Sequence, residues 1–190
     1  MSEREANVNL YDYVRAVPDF PKPGILFRDI SPLLRASVAF SAATQGMATL
    51  IFQCELEEGK FLEKEGGAIA AVESRGFPFG AALASRMNCG LILVRKKEAR
   101  LPGSVLMEEY GLEYGRDGIK IQKGLISKNQ PVVVVDDVLA TGGTAEAACR
   151  LVDRAGGKVQ GCVFLIELTA LGGRERLEKI GVRVRSLLRY

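Results

Sequence analysis

Histidine is missing from all 190 residues. Any proton transfer must therefore fall to a carboxylate, lysine, tyrosine, cysteine or the substrate itself, and Ser-His-Asp and Cys-His mechanisms are excluded. Cysteine is sparse: Cys54, Cys89, Cys149 and Cys162 stand far apart with no C-x-x-C pair, so no common zinc set is encoded and the thiols read as buried and apolar. Charge of one sign is nearly balanced by the other, leaving a formal +3. No global basic field points to nucleic acid, and any phosphate chemistry has to be local. Long apolar runs are lacking too: VAFSAATQGMATLIF is interrupted by Thr44 and Gln45 and falls short of the ~20 apolar residues that cross a bilayer. The charged opening MSEREANVNLYDY has no signal-peptide core. The expectation is a cytoplasmic protein that binds neither membrane nor nucleic acid.

What is present fits one domain with a sizeable core, or one domain plus a small attached piece, at 47% hydrophobic and 26% charged residues. Apolar β-type runs occur at Ala68–Val72, Leu91–Val94, Ile119–Ile121, Val132–Val135, Val159–Ile166 and Val182–Leu188. Helical patterns lie between several of them, the alternation of a mostly parallel sheet wrapped by helices. One helix is expected over 38–56, stopping at Gly59. Another should place Ala145, Ala148, Cys149, Val152 and Ala155 on its apolar stripe with Glu146, Arg150, Asp153 and Arg154 facing away, and end at Gly156-Gly157. Arg95–Gly118 mixes charges with four glycines and shows little periodicity; it is a functional lid or arm, or else a surface hairpin.

The chemistry concentrates in PVVVVDDVLATGGT, Pro131 to Thr144. A run of four valines has no polar face and belongs in a central parallel strand, whose C-terminal end is where α/β proteins bind ligands. Asp136 and Asp137 stand at that end, able to accept hydrogen bonds from neighbouring sugar hydroxyls or to steady a divalent cation. In Ala140-Thr141-Gly142-Gly143-Thr144 the glycines allow close backbone approach, helix-start N–H groups point outward and hydroxyls add donors, a phosphate cradle. The lysine and spacing of G-x-x-x-x-G-K-[ST] are absent. Acids followed by cradle describe a ribose 5-phosphate ligand; the alternative is an acidic turn with Thr144 capping the helix. Glu73-Ser74-Arg75-Gly76 follows the Ala68–Val72 strand and opens a second helix, a second anion site by the same physics; the alternative there is Arg75 as a surface ion-pair partner.

VVVVDDVLATGGT resembles the phosphoribosyl-pyrophosphate signature of the type I phosphoribosyltransferases. DFPKPGILFRDISPLL at 19–34, ESRGFPFG at 73–80, LEYG at 112–115 and ELTALGGRERL at 167–177 resemble the adenine phosphoribosyltransferase family in particular. The resemblance implies an α/β fold, a mostly parallel twisted sheet flanked by helices, with a small N-terminal hood at 1–35 and a core at 36–190 carrying a flexible lid loop at 95–118. It implies purine salvage: adenine and phosphoribosyl pyrophosphate give AMP and pyrophosphate, with magnesium as cofactor and a homodimer as assembly.

By the same resemblance, Leu26, Phe27 and Arg28 meet adenine, Phe27 by stacking and its neighbours through their backbones. Taken without the family, Phe27 reads as a core residue. Ser74, Arg75 and Gly76 hold pyrophosphate, and in the family a cis peptide would fall at Glu73–Ser74. Asp136, Asp137 and Ala140, Thr141, Gly142, Gly143 and Thr144 take the ribose and 5-phosphate. Arg95, Lys96 and Arg100 match a basic cluster that meets pyrophosphate; an extra residue in RKKEARLPG leaves Lys96, Lys97 and Arg100 as alternative contacts. Arg95 and Glu113 are the catalytic candidates, Glu113 as proton donor to adenine N7, with Tyr114 helping to close the site. Magnesium would be held mainly by the phosphoribosyl pyrophosphate, assisted by Asp136 or Asp137 rather than by a direct protein cage. Three other functions compete: a transferase for another base, a regulator that binds phosphoribosyl pyrophosphate without turnover, and a structural adaptor.

Overall fold

The computed structural model describes residues 8–55, 66–112 and 115–190. The expected helix stop at Gly59, together with Glu113 and Tyr114, lies outside the described residues. The chain divides into two compact units, Met1–Gly46 and Met47–Tyr190.

In the first unit, strands β1 (Arg15–Val17) and β2 (Phe27–Asp29) pair antiparallel, Val17 opposite Phe27. The DFPKPG stretch between them turns through Asp19 at φ 57°, whose Oδ1 accepts the Gly24 N–H at 2.8 Å. Asp29 joins this pair to helix α1 (Ser31–Arg35): it accepts Ser31 Oγ at 2.6 Å and Ser31 N–H at 2.9 Å, and pairs with Arg15. Those Ser31 bonds, with Arg15, hold its carboxyl down to about 2. Helix α2 spans Ser37–Glu55, close to the range its apolar spacing predicts.

The second unit holds a sheet of seven strands in the order β5-β6-β4-β3-β7-β8-β9. These are β3 (Ala68–Val72), β4 (Gly90–Lys96), β5 (Val105–Leu112), β6 (Gly115–Gln122), β7 (Pro131–Leu139), β8 (Lys158–Glu167) and β9 (Val184–Arg189). From β4 through β9 the pairings are parallel. Every β-type run in the sequence falls on one of these strands, and the mostly parallel α/β architecture is as the alternation requires. Val132 to Val135 are fully buried, with β3 and β8 on either side. Successive side chains point to opposite faces, so Val132 and Val134 join Ala70, Ile92, Phe164 and the apolar stripe of helix α4 (Gly143–Arg154) in one core. Helix α3 (Gly76–Met87) packs on β3, β4 and β7. Its approach is close: a Cβ on Gly80 would lie 2.3 Å from Ala71 Cβ.

Two expectations are corrected. Arg95–Gly118 is not irregular: most of it is the β5–β6 hairpin, paired from Val105 opposite Gln122 to Leu112 opposite Gly115, with β6 antiparallel to β4. The segment has the backbone of a hairpin, whose alternation is hard to see in sequence because glycines and acids occupy its positions. Glu146 does not face solvent on α4 but is buried, accepting hydrogen bonds from Arg150 and from Arg176, thirty residues on. As the scattered cysteines suggested, Cys149 and Cys162 are buried, whereas Cys89 is partly exposed.

Candidate active site

The C-terminal ends of β3, β4 and β7 lie side by side, and three turns leave from them. After β3 the chain makes a cis peptide at Glu73–Ser74 and enters α3 at Gly76. Gly76 has no room for a side chain: a Cβ would sit 2.9 Å from the Val135 carbonyl and 3.0 Å from Asp136 Oδ1. Close backbone packing therefore sets the turn of β3 against the acids of β7. Glu73 fastens it to β4, accepting Arg95 Nε at 2.9 Å and the Lys96 N–H at 2.8 Å. Burial pushes the Glu73 carboxyl up, but these hydrogen bonds and the Arg95 charge outweigh it and hold it low. Arg95 is thus aimed at Glu73, its guanidinium 5.9 Å from the Phe77 ring centre.

On β7, Asp136 Oδ1 accepts the Asp137 N–H at 2.8 Å. Asp137 is buried, with Oδ2 2.9 Å from Arg75 Nε; among the described residues that oxygen accepts no hydrogen bond. The ion pair has the distance of a bond without its alignment. Both carboxyls are raised. Burial lifts Asp136 well above the usual carboxylate range and the Asp137 charge adds to it, while burial lifts Asp137 against the opposing pull of Arg75.

Beyond β7 the chain turns through Gly142 at φ 79°, the N-cap of α4, where no described side chain supplies a cap bond. Thr144 therefore does not cap the helix, and the N–H groups of its first turn stay directed outward. Glycine is demanded from behind as well: a Cβ on Gly142 would meet the Gly173 carbonyl at 2.9 Å, and one on Gly173 would meet the Ala140 carbonyl at 2.2 Å.

These turns enclose one cavity of about 420 Å³, lined by Ser74, Arg75, Lys96, Asp136, Asp137, Ala140 and Thr144 among others. A smaller recess of about 80 Å³ is walled by Ala140, Thr141, Gly142, Gly143 and Thr144 and shares Asp136 with the first. Two anion cradles thus line adjoining pockets with the acid pair between them, an arrangement that can hold an extended ligand phosphorylated at both ends.

Of the basic alternatives, Lys96 lines the larger cavity and Arg100 is exposed. Leu26, Phe27 and Arg28 belong to the first unit, where Leu26 is exposed and Phe27 is half-buried, its ring edge-on to Phe20 at 5.0 Å. Phe27 is therefore no core residue. Among the polar lining residues, Tyr110 and Asp117 went unnoticed in the sequence as cavity walls, and Glu73 was read only as part of the turn after β3. For Tyr110 the available signal was an aromatic in a charged, glycine-rich stretch, legible only once β5 is recognised. No group of three His, Cys, Asp or Glu side chains able to cage a metal occurs among the described residues, and no helix among them is long and apolar enough to cross a membrane.

Comparison with known proteins agrees with this geometry. The family model of the phosphoribosyl transferase domain matches residues 39–188. Adenine phosphoribosyltransferase of Synechococcus sp. (strain RCC307) is 48% identical over 177 residues, 93% of each chain. The crystal structure of adenine phosphoribosyltransferase from Rhodothermus marinus DSM 4252 superposes with a TM-score of 0.83 at 44% identity, covering 95% of this chain and 96% of that one. The Saccharomyces cerevisiae enzyme, complexed with an imino-altritol bisphosphate and adenine, gives 0.82 at 36% identity over 99% of this chain and 100% of its own.

Proposed function

The chain belongs to the adenine phosphoribosyltransferase family, and we propose that the cavity at the ends of β3, β4 and β7 is where it joins adenine to phosphoribosyl pyrophosphate. It serves purine salvage, giving AMP and pyrophosphate. One observation carries the assignment of the site: the acid pair Asp136–Asp137 and the Ser74–Arg75 turn line one cavity, the 140–144 loop walls the recess beside it, and Asp136, Ala140 and Thr144 border both.

In this reading the 5-phosphate lies on the N–H groups of Ala140 to Thr144, a helix start that favours an anion. Asp136 and Asp137 accept the ribose hydroxyls; their buried, raised carboxyls gain the partners that burial denies them. Pyrophosphate falls to Ser74, Arg75 and Gly76 with Lys96, and Arg100 is the outer cation. Arg95 keeps Glu73 and the turn in place. Leu26, Phe27 and Arg28 receive the purine, an aromatic face suiting a flat ring.

N9 of adenine bonds to the anomeric carbon as the bond to pyrophosphate breaks, and positive charge develops on the ribose ring between the two carboxylates. The purine loses a proton during synthesis. Glu113, expected as proton donor to adenine N7, would therefore fill that role in the reverse direction and accept the N7 proton in the forward one. Positioning and electrostatics carry the rest.

The donor set suits magnesium held largely by the ligand: the Asp136–Asp137 pair offers oxygen to a cation's water shell, and no full cage is described. When bound, the ion supplies charge neutralisation of the leaving pyrophosphate. A homodimer, supported by the family resemblance, and a cytoplasmic location complete the proposal.

Incubation with phosphoribosyl pyrophosphate, magnesium and each nucleobase in turn, reading pyrophosphate release, tests the assignment. Release with adenine alone is the expected result. Release with a different base, or binding without release with any, overturns it.

A further inference from the structure

The β5–β6 hairpin is held to α4. Arg154 Nη1 donates to the Met107 carbonyl at 2.7 Å and to Glu108 Oε2 at 2.5 Å, and Arg150 lies 3.6 Å from Glu108 Oε1. Residues two apart on a strand share a face, so Leu106, Glu108 and Tyr110 turn the same way, and Leu106 and Tyr110 pack against the main core. Tyr110 thereby arrives at the first turn of α4: its Cδ2 lies 3.4 Å from where a Cβ on Gly143 would be. Its hydroxyl bonds with Thr144 and donates to Asp117 Oδ2 at 3.2 Å. Asp117 in turn accepts the Gly118 N–H on Oδ1 at 2.7 Å. Tyr110, Asp117 and Thr144 all line the larger cavity.

A phenol so placed stands over the phosphate loop. We propose that Tyr110 is a further substrate-binding residue, whose hydroxyl completes the 5-phosphate site and selects a phosphorylated sugar. The proposal rests on the reading of the 140–144 loop given above. A phosphate seated there would take the Thr144 hydroxyl as donor, removing the bond that Tyr110 now receives. The phenol hydrogen is then free to turn from Asp117 to a phosphate oxygen, and Asp117 keeps its Gly118 donor. The phenol thereby exchanges one anionic acceptor for another, while the Thr144 hydroxyl exchanges a neutral phenol oxygen for a charged phosphate oxygen, a stronger bond, so the rearrangement favours the loaded site.

Tyr110→Phe keeps the ring against Gly143 and removes only the hydroxyl. The KM for phosphoribosyl pyrophosphate should rise about ten-fold with kcat changed by less than about two-fold, as expected for loss of one charge-assisted bond. Competitive inhibition by ribose 5-phosphate should weaken by the same factor, and inhibition by pyrophosphate should not. Glu108→Gln, which loosens the hairpin from α4 outside the cavity, is the comparison. If it matches the effect of Tyr110→Phe on ribose 5-phosphate, or if Tyr110→Phe weakens ribose 5-phosphate and pyrophosphate equally or leaves both unchanged, the proposal is overturned. Calorimetric binding of ribose 5-phosphate separates this from the function itself. A wild-type chain that turns over no base but binds ribose 5-phosphate more tightly than Tyr110→Phe upholds the residue assignment while refuting the catalytic one.

Discussion

Arg75 and Asp137 face each other across the site, Nε to Oδ2 at 2.9 Å, and among the described residues that oxygen accepts no hydrogen bond. One belongs to the turn after β3 and the other to β7, so the pair bridges the proposed pyrophosphate and ribose ends. The Asp137 oxygen is left as an acceptor for ligand. Asp137→Asn should raise the KM for phosphoribosyl pyrophosphate about ten-fold without lowering the melting temperature, because burial disfavours the charge that the substitution removes. Unchanged substrate kinetics would take Asp137 out of the site.

The raised carboxyls also predict a pH dependence. Burial, with the Asp137 charge second, lifts Asp136 above its unfolded value of 3.8, so the folded chain holds this proton more tightly than the unfolded one. Stability from this group is full at low pH and declines as pH rises through the folded value, while affinity for ribose hydroxyls increases over the same window. Calorimetric titration with ribose 5-phosphate across that window should show a pH slope that flattens in Asp136→Asn. An equal slope in both proteins would exclude the pair as its source.

Glu167 works in the opposite sense. It is buried at the end of β8, where it accepts Arg174 Nε at 2.8 Å and Nη2 at 2.6 Å, and also Ser186 Oγ. The Arg174 bonds hold its carboxyl below the ordinary value despite burial. Its stabilisation is therefore present above the unfolded value and lost as pH falls through the folded one. Urea unfolding at neutral pH should give Glu167→Gln a loss of about 3 kcal/mol, shrinking as the solution is acidified below pH ~4.3. A loss that stays constant with pH counts against the ion pair as its cause.

Two glycines separate stability from binding. A Cβ at Gly80 would press on Ala71 at 2.3 Å, and one at Gly173 on the Ala140 carbonyl at 2.2 Å. Each alanine variant should be destabilised by about 1–3 kcal/mol. Only Gly173→Ala should also raise the KM for phosphoribosyl pyrophosphate, since it displaces the loop proposed to bind phosphate. Should Gly80→Ala change that KM to the same degree, the effect would be global rather than transmitted through Ala140.

The parts of the fold legible in the sequence are those whose pattern is self-contained. Val132 to Val135 announce a strand buried on both faces because no partner is needed to interpret four valines. DDVLATGGT is equally local, since the acids and the loop they precede are consecutive. Pairing between distant segments is what stayed hidden. Nothing near Glu146 indicates that Arg176 will neutralise it, so helical periodicity turned it outward. The alternation of Leu106, Glu108 and Tyr110 becomes meaningful only when β6 supplies a partner and α4 a floor, so the stretch read equally well as a lid. The role expected of Glu113 concerns a residue outside the described structure.

Gly173 fills the space a side chain on Gly142 would need, and the Ala140 carbonyl fills the space one on Gly173 would need. The loop proposed to hold phosphate is thus seated on the start of α5 (Gly173–Glu178), and α5 is tied through Arg174 to Glu167 and to the Val184 carbonyl of β9. The segment from Gly172 onward acts as a foundation. A chain cut before Gly172 would retain every loop residue assigned to the 5-phosphate and lose the surface that gives the loop its shape.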